Sequence, residues 1–180
     1  MLYIYTGDGK GKTTAAVGSL IRGYGAGKPC AIVFFDKTSE RCAELDALLE
    51  LGIHAHVFGA NRILARDNND DSNEGGDFRF ENIEEDFIEA KKALEKAQEL
   101  AKFAEILVLD EFLNAIRVGI VHIKQALLFV EEFPQEKLLI LTGRGLPEEI
   151  ELRADLISEI KNIRHPFDQL KNTAVPGIDY

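Results

Sequence analysis

Leu2-Tyr3-Ile4-Tyr5-Thr6-Gly7-Asp8-Gly9-Lys10-Gly11-Lys12-Thr13-Thr14-Ala15-Ala16 is the stretch on which the reading of this chain turns. Residues 2–5 form a short apolar run, and Ala15 to Tyr24 reads as a helix ended near Gly25 and Gly27. Between them lies a glycine-rich turn. Glycines allow the backbone to curl so that its N–H groups point at phosphate oxygens, and the helix N-terminus adds roughly half a positive charge. Gly7, Asp8, Gly9, Lys10, Gly11, Lys12, Thr13 and Thr14 are therefore the predicted nucleotide-binding residues. Lys12 is expected to reach the outer phosphates, and the Thr13 hydroxyl to bind a magnesium or manganese ion bridging them. The usual P-loop spacing has Gly where Thr6 stands. The competing reading, a structural turn with two surface lysines, requires strand, Gly-Lys-Thr-Thr and helix to coincide by accident.

Downstream the same alternation continues. Cys30 to Phe35 is an unbroken apolar run bounded by Pro29 and Asp36, as expected of a strand buried on both faces. A helix over 40–51, closed by Gly52, and a strand over 53–58 follow. From Ala60 to Asp77 the periodicity stops, and 67–77 reads as an exposed, mobile acidic loop. Asn82 and Glu85 predict a capping box ahead of a helix whose apolar stripe is Ile83, Phe87, Ala90, Leu94, Ala97 and Ala101. Strands are expected at 106–109, 137–141 and 156–163, helices at 120–133 and 147–154, and an irregular tail from His165. Alternating strands and helices predict an α/β, P-loop NTPase-like fold, a single domain over 1–180 with a mostly parallel central sheet flanked by helices.

The 180 residues fit one core, and a composition 46% hydrophobic and 29% charged is that of a globular protein. No apolar run approaches the roughly 18 residues of a membrane helix, and the N-terminus lacks the pattern of a signal peptide. A cytoplasmic protein without membrane association is expected. The net charge of -10 argues against general nucleic-acid binding, so any phosphate site must be local. Cys30 and Cys42 form no Cys-x-x-Cys pair and are expected to be reduced packing residues.

Leu107-Val108-Leu109-Asp110-Glu111 is an apolar strand that delivers carboxylates to the C-terminal edge of the sheet, where ligands bind in such folds. Asp110 is expected to hold the metal with Thr13, and Glu111 to serve as a second ligand or to orient a water. The alternative makes Asp110 a helix cap and Glu111 a solvated side chain.

With both elements in view, the chain resembles the P-loop ATP:corrinoid adenosyltransferases, that is, the cob(I)alamin or cob(I)yrinic acid a,c-diamide adenosyltransferases. Tyr5 to Ala16, Val108 to Glu111, Thr142-Gly143-Arg144-Gly145, and the ending His165-Pro166-Phe167-Asp168 through Gly177-Ile178-Asp179-Tyr180 carry the likeness in order and spacing. That family shares the shortened turn with Thr6, and usually has Asn or Asp at the place of Asp8. The resemblance implies transfer of the 5′-deoxyadenosyl group of ATP to Co(I) of a corrinoid, with triphosphate leaving. It also implies a homodimer, a reductase supplying Co(I), and a place in cobalamin biosynthesis or salvage. Lys12 and Arg144 would stabilise the charge on the departing triphosphate. Family position makes Arg22 and Lys37 candidates for nucleotide contact, with solvated surface charge as their alternative.

One segment departs from the family. A Phe-x-Trp segment is usual after the third strand, but Gly59-Ala60-Asn61-Arg62-Ile63 stands here and the chain has no Trp. Phe78 and Phe80 are either an apolar surface for the corrin or core residues. Asp70 to Glu81 approaches a calcium-loop pattern but lacks two of its ligands. His54 and His56 share a strand face without a third metal ligand. Two other functions use the same phosphate elements: another P-loop enzyme, such as a small-molecule kinase or ATPase, and an ATP-binding regulator without turnover.

Overall fold

The computed structural model describes residues 1–64 and 77–164. Among the described residues, eight strands and six α-helices follow in the order β1 (Leu2–Thr6), α1 (Lys12–Gly25), β2 (Cys30–Phe35), α2 (Glu44–Glu50), β3 (His54–Phe58), β4 (Ile63–Leu64), β5 (Asp77–Phe78), α3 (Glu84–Ala101), β6 (Ile106–Asp110), α4 (Phe112–Arg117), α5 (Ile123–Glu132), β7 (Leu138–Thr142), α6 (Glu148–Glu151) and β8 (Leu156–Glu159). Six strands form one sheet in the order β3-β2-β6-β7-β1-β8, and every pairing in it is parallel. The predicted α/β, P-loop NTPase-like architecture is therefore present, and all the C-terminal strand ends, the ligand-binding edge, point the same way.

The alternation of side chains along β2 explains why its sequence is apolar throughout. Ala31, Val33 and Phe35 join Leu107, Leu109, Phe112 and α3 on one face. Cys30, Ile32 and Phe34 join Ala16, Leu20, Leu48 and Val108 on the other. A strand buried on both sides has no polar period to display. Phe35 and Phe112 meet edge to face at 5.0 Å, which locks the first turn of α4 against the sheet.

Several expected boundaries shift. The helix foreseen over 40–51 is a 3-10 turn at Ser39–Arg41 followed by the shorter α2. The helix expected at 120–133 begins at Ile123, and α4 precedes it unforeseen. Residues 147–154 yield only the single turn α6, and the last strand stops at Glu159. Within the stretch read as patternless, Ile63–Leu64 pairs antiparallel with Asp77–Phe78. Two-residue strands are too short to show a period, which is why the hairpin left no trace in the sequence.

The start of α3 also differs. Its N-cap is Ile83, and the carboxylate that reaches back to the Ile83 N–H, at 2.8 Å, is that of Asp86 rather than Glu85. The Asn82 amide is used elsewhere, donating to Val118 O at 2.7 Å. The buried face of α3 is Asp86, Ala90, Ala93, Ala97 and Leu100, while Ile83 and Phe87 lie exposed. Residues 65–76, which hold most of the acidic segment and of the calcium-like pattern, and the ending from His165 lie outside the described residues. No described helix is long and apolar enough to cross a membrane.

Candidate functional site

The turn after β1 is held from three sides. Thr6, in the place of the usual glycine, donates its hydroxyl to Gly143 O at 3.0 Å, and its carbonyl accepts from Ile160 N–H at 2.8 Å. Gly9 N–H donates to Ile160 O at 2.8 Å, and a Cβ on Gly9 would stand 2.7 Å from that same oxygen. Only glycine permits so close an approach. Lys12, largely buried at the head of α1, donates to Gly7 O and Gly9 O, each at 2.8 Å. Burial lowers its pKa, against the pull of the Glu111 carboxylate. Gly11 caps α1 without a side-chain bond, and the first turn has no acidic residue, so its N–H groups and positive end face the turn.

Asp110 ends β6 fully buried, and both its oxygens are engaged. Oδ1 accepts from Thr142 Oγ1 at 2.6 Å. Oδ2 accepts from Lys37 Nζ at 2.6 Å and from Thr13 Oγ1 at 3.2 Å. The Thr142 hydroxyl in turn accepts from Glu111 N–H at 2.9 Å. Burial alone would lower the pKa of Lys37, but the Asp110 charge and hydrogen bond outweigh it and the ammonium is held above its ordinary value. Glu111 adopts a left-handed backbone, φ 57°, at the N-cap of α4. A non-glycine residue in that region marks stored strain, a common feature of functional strand ends. Its carboxyl is pushed upward in pKa by burial and then by the neighbouring Asp110 charge.

Arg144 closes the other flank, with its guanidinium donating to Asp8 O at 3.4 Å and Nε lying 3.9 Å from Asp8 Oδ1. A phosphate-type turn, a buried aspartate carrying a cation, and an arginine thus converge at one sheet edge. Along its whole length, residues 1–180, the chain matches the family model for ATP:corrinoid adenosyltransferase BtuR/CobO/CobP. The chain belongs to that family. Among its relatives is a Sinorhizobium corrinoid adenosyltransferase, 31% identical over 93% of this chain and 74% of the relative. The corrinoid adenosyltransferase of Escherichia coli K12 is 27% identical over 100% of this chain and 85% of its own. The corrinoid adenosyltransferase CobA of Salmonella typhimurium LT2 is 26% identical over the same shares.

Against this family's expected site, the structure brings Lys12, Thr13, Lys37, Asp110 and Glu111 together, with Arg144 beside Asp8. Lys10 and Thr14 are exposed on the rim of the turn. Arg22 is not brought there. It lies exposed in the last turn of α1, ten residues on from Lys12 and so a rise of about 15 Å away along the helix. At that helix end its charge is favourably placed against the C-terminal carbonyls.

The donor set suits a hard divalent cation. The Thr13 hydroxyl and the Asp110 carboxylate already touch, Glu111 follows, and the Lys37 ammonium shows that the pocket around Asp110 accepts positive charge. Thr142 was missed as a site residue. Its only sequence signal is the strand-end position before Gly143-Arg144-Gly145, and nothing in that spacing reveals the bond to Asp110. Phe80 is 84% exposed, so it is not a core residue. His54 is exposed and stacks edge-on against Phe103 at 4.8 Å, in keeping with the partly exposed strand face expected of it.

Proposed function

We propose that this protein transfers the 5′-deoxyadenosyl group of ATP to Co(I) of a corrinoid and releases triphosphate. The observation that carries the proposal is the meeting of Lys12 and Thr13, from the turn, with Asp110 and Lys37 at the same strand edge. In this reaction the cobalt electron pair forms the Co–C5′ bond while the C5′–O bond breaks, its electrons passing to the departing triphosphate oxygen. Cobalt is the nucleophile, so no protein general base is required. Charge builds on the leaving group, and fixed donors aimed there lower the barrier.

Lys12 and the N–H groups of the turn hold the triphosphate, and Arg144 neutralises its developing charge from the exposed flank. Lys37 binds the nucleotide from the opposite side, reaching across from the end of β2. Thr13 and Asp110, with Glu111 beside them, would hold magnesium or manganese, which when bound supplies charge neutralisation between the phosphates. The hydroxyl of Thr142 keeps the Asp110 carboxylate oriented.

Phe80, 84% exposed, offers apolar surface to an acceptor. A flat corrin needs apolar area more than one particular aromatic residue. The reading extends to a cytoplasmic homodimer supplied with Co(I) by a separate reductase, within cobalamin biosynthesis or salvage. The test is anaerobic incubation with ATP, magnesium and chemically reduced cobalamin or its incomplete precursors. A light-sensitive adenosylated product with stoichiometric triphosphate is expected. Diphosphate or monophosphate as product makes the protein a kinase or ATPase, and intact ATP with every corrinoid leaves a binding regulator.

A further inference from the structure

We propose that Arg62 is a positioning residue for the nucleotide site, acting through Asp36 to hold the ammonium of Lys37 against Asp110. The inference rests on the reading of Lys37 as a nucleotide ligand. Arg62 follows β3 in sequence, far from the turn, yet only 8% of it is exposed and its Nε donates to Asp36 Oδ1 at 2.6 Å. Asp36 is the first residue beyond β2 and has a left-handed backbone, φ 52°. That conformation, unusual without glycine, turns the chain where Lys37 begins. Lys37 then donates its N–H to Phe58 O at 3.3 Å and its ammonium to Asp110 at 2.6 Å.

The turn is wedged from both sides. On one side is the Asp36–Arg62 pair. On the other is the backbone of Gly59, where a Cβ would stand 2.5 Å from both N and O of Lys37 and 2.8 Å from C of Asp36. Arg62 is itself held: one terminal nitrogen donates to Asn82 Oδ1 at 3.2 Å and lies 3.8 Å from Asp86 Oδ1. Asp86 is clamped by both terminal nitrogens of Arg79, at 2.6 and 2.9 Å. Two carboxylates and two guanidiniums thus form a neutral, mostly buried chain from the head of α3 to the end of β2.

Burying ion pairs gives little stability over apolar packing of equal volume, so their use here points to geometry. The geometry concerned is that of one strained residue beside a site cation. Bonds that orient a ligand from behind change affinity without touching what is bound.

The experiment is ATP binding measured by calorimetry with magnesium and without corrinoid, so the outcome is independent of which acceptor is used. Arg62→Met is expected to weaken ATP binding about tenfold, as loss of an orienting outer partner does, and Arg62→Lys to restore part of it. Lys37→Met weakens binding at least as much. The double variant is expected to stay within about twofold of Lys37→Met alone, because residues acting through one another are not additive. Losses that multiply, or unchanged affinity in folded Arg62→Met, overturn the proposal, since a purely structural Arg62 would weaken binding whether or not Lys37 is present. Weak binding by Arg62→Met with normal binding by Lys37→Met overturns it by removing Lys37 from the nucleotide site. Should Arg62→Met fail to fold, Asp36→Asn, which tolerates the left-handed turn but removes the charge, runs the same cycle with Lys37→Met.

Discussion

Thr142 Oγ1 lies 2.6 Å from Asp110 Oδ1, and both residues are fully buried at neighbouring strand ends, on β7 and β6. One hydroxyl hydrogen thereby fixes the carboxylate's rotation, while the hydroxyl oxygen takes the N–H of the strained Glu111. Thr142→Val keeps the shape and removes both bonds. Leaving a buried charged acceptor short of a donor costs about 1.5–3 kcal/mol. Denaturant unfolding is expected to show a loss of that size, together with weaker magnesium dependence of ATP binding. A variant as stable as the parent would mean that the Asp110 oxygen finds another partner.

Lys12→Ala is expected to lose about 1.5–3 kcal/mol of ATP affinity, the contribution of a charge-assisted bond to phosphate. Because Lys12 also braces Gly7 O and Gly9 O, a modest fall in melting temperature should accompany it. Calorimetry on the folded variant decides the matter, and undiminished ATP binding would take the turn out of the mechanism.

Asp86 carries a pH signature. Hydrogen bonds from Arg79, which outweigh burial, and the N–H of Ile83 hold its carboxyl below the ordinary value of 3.8. A lowered folded-state pKa contributes stability that is fully present above 3.8 and is lost as pH falls through the folded value. Asp86→Asn should therefore be destabilised by about 3 kcal/mol at pH 7, where it breaks a buried pair, with the gap to the parent closing below about pH 4. Urea titrations at a series of pH values read it directly; a gap that stays constant into acid would assign the loss to packing.

The thiols should be silent in the native state. Burial, reinforced by the Glu44 charge, pushes Cys42 up to about 12, and burial raises Cys30 as well. Since the thiolate is the reactive form, a disulfide reagent at pH 8 is expected to find no fast-reacting group in the folded protein and two after denaturation. Rapid native reaction at Cys42 would reveal opening of the segment between β2 and α2.

Strand β2, strand β6 and the turn into α1 could be read from the chain itself, because each is a local pattern. Six consecutive apolar residues between Pro29 and Asp36 are too short for a buried helix and suit a strand covered on both faces, and Gly-Lys-Thr-Thr between strand and helix has few uses other than phosphate. Lys12, Thr13 and Asp110 became site candidates on those grounds. The hairpin of β4 with β5 and the shift of the α3 cap from Asn82 to Ile83 were not legible. Each depends on which distant group a side chain finds: Asn82 is drawn to Val118 and Asp86 to Arg79.

A glycine-rich turn with a lysine beside it, set between a strand and a helix, is a local pattern, so the chain alone singles out residues 7–14 as phosphate-binding candidates. That Lys37, Thr13 and Thr142 meet on the carboxylate of Asp110, and that Arg62 stands behind Asp36, follows from long-range packing and has no local signal. These groups are far apart along the chain. Thr142 is 32 residues from Asp110 and Lys37 is 73 from it, and only the parallel ordering of β2, β6 and β7 brings their C-terminal ends within the reach of a hydrogen bond.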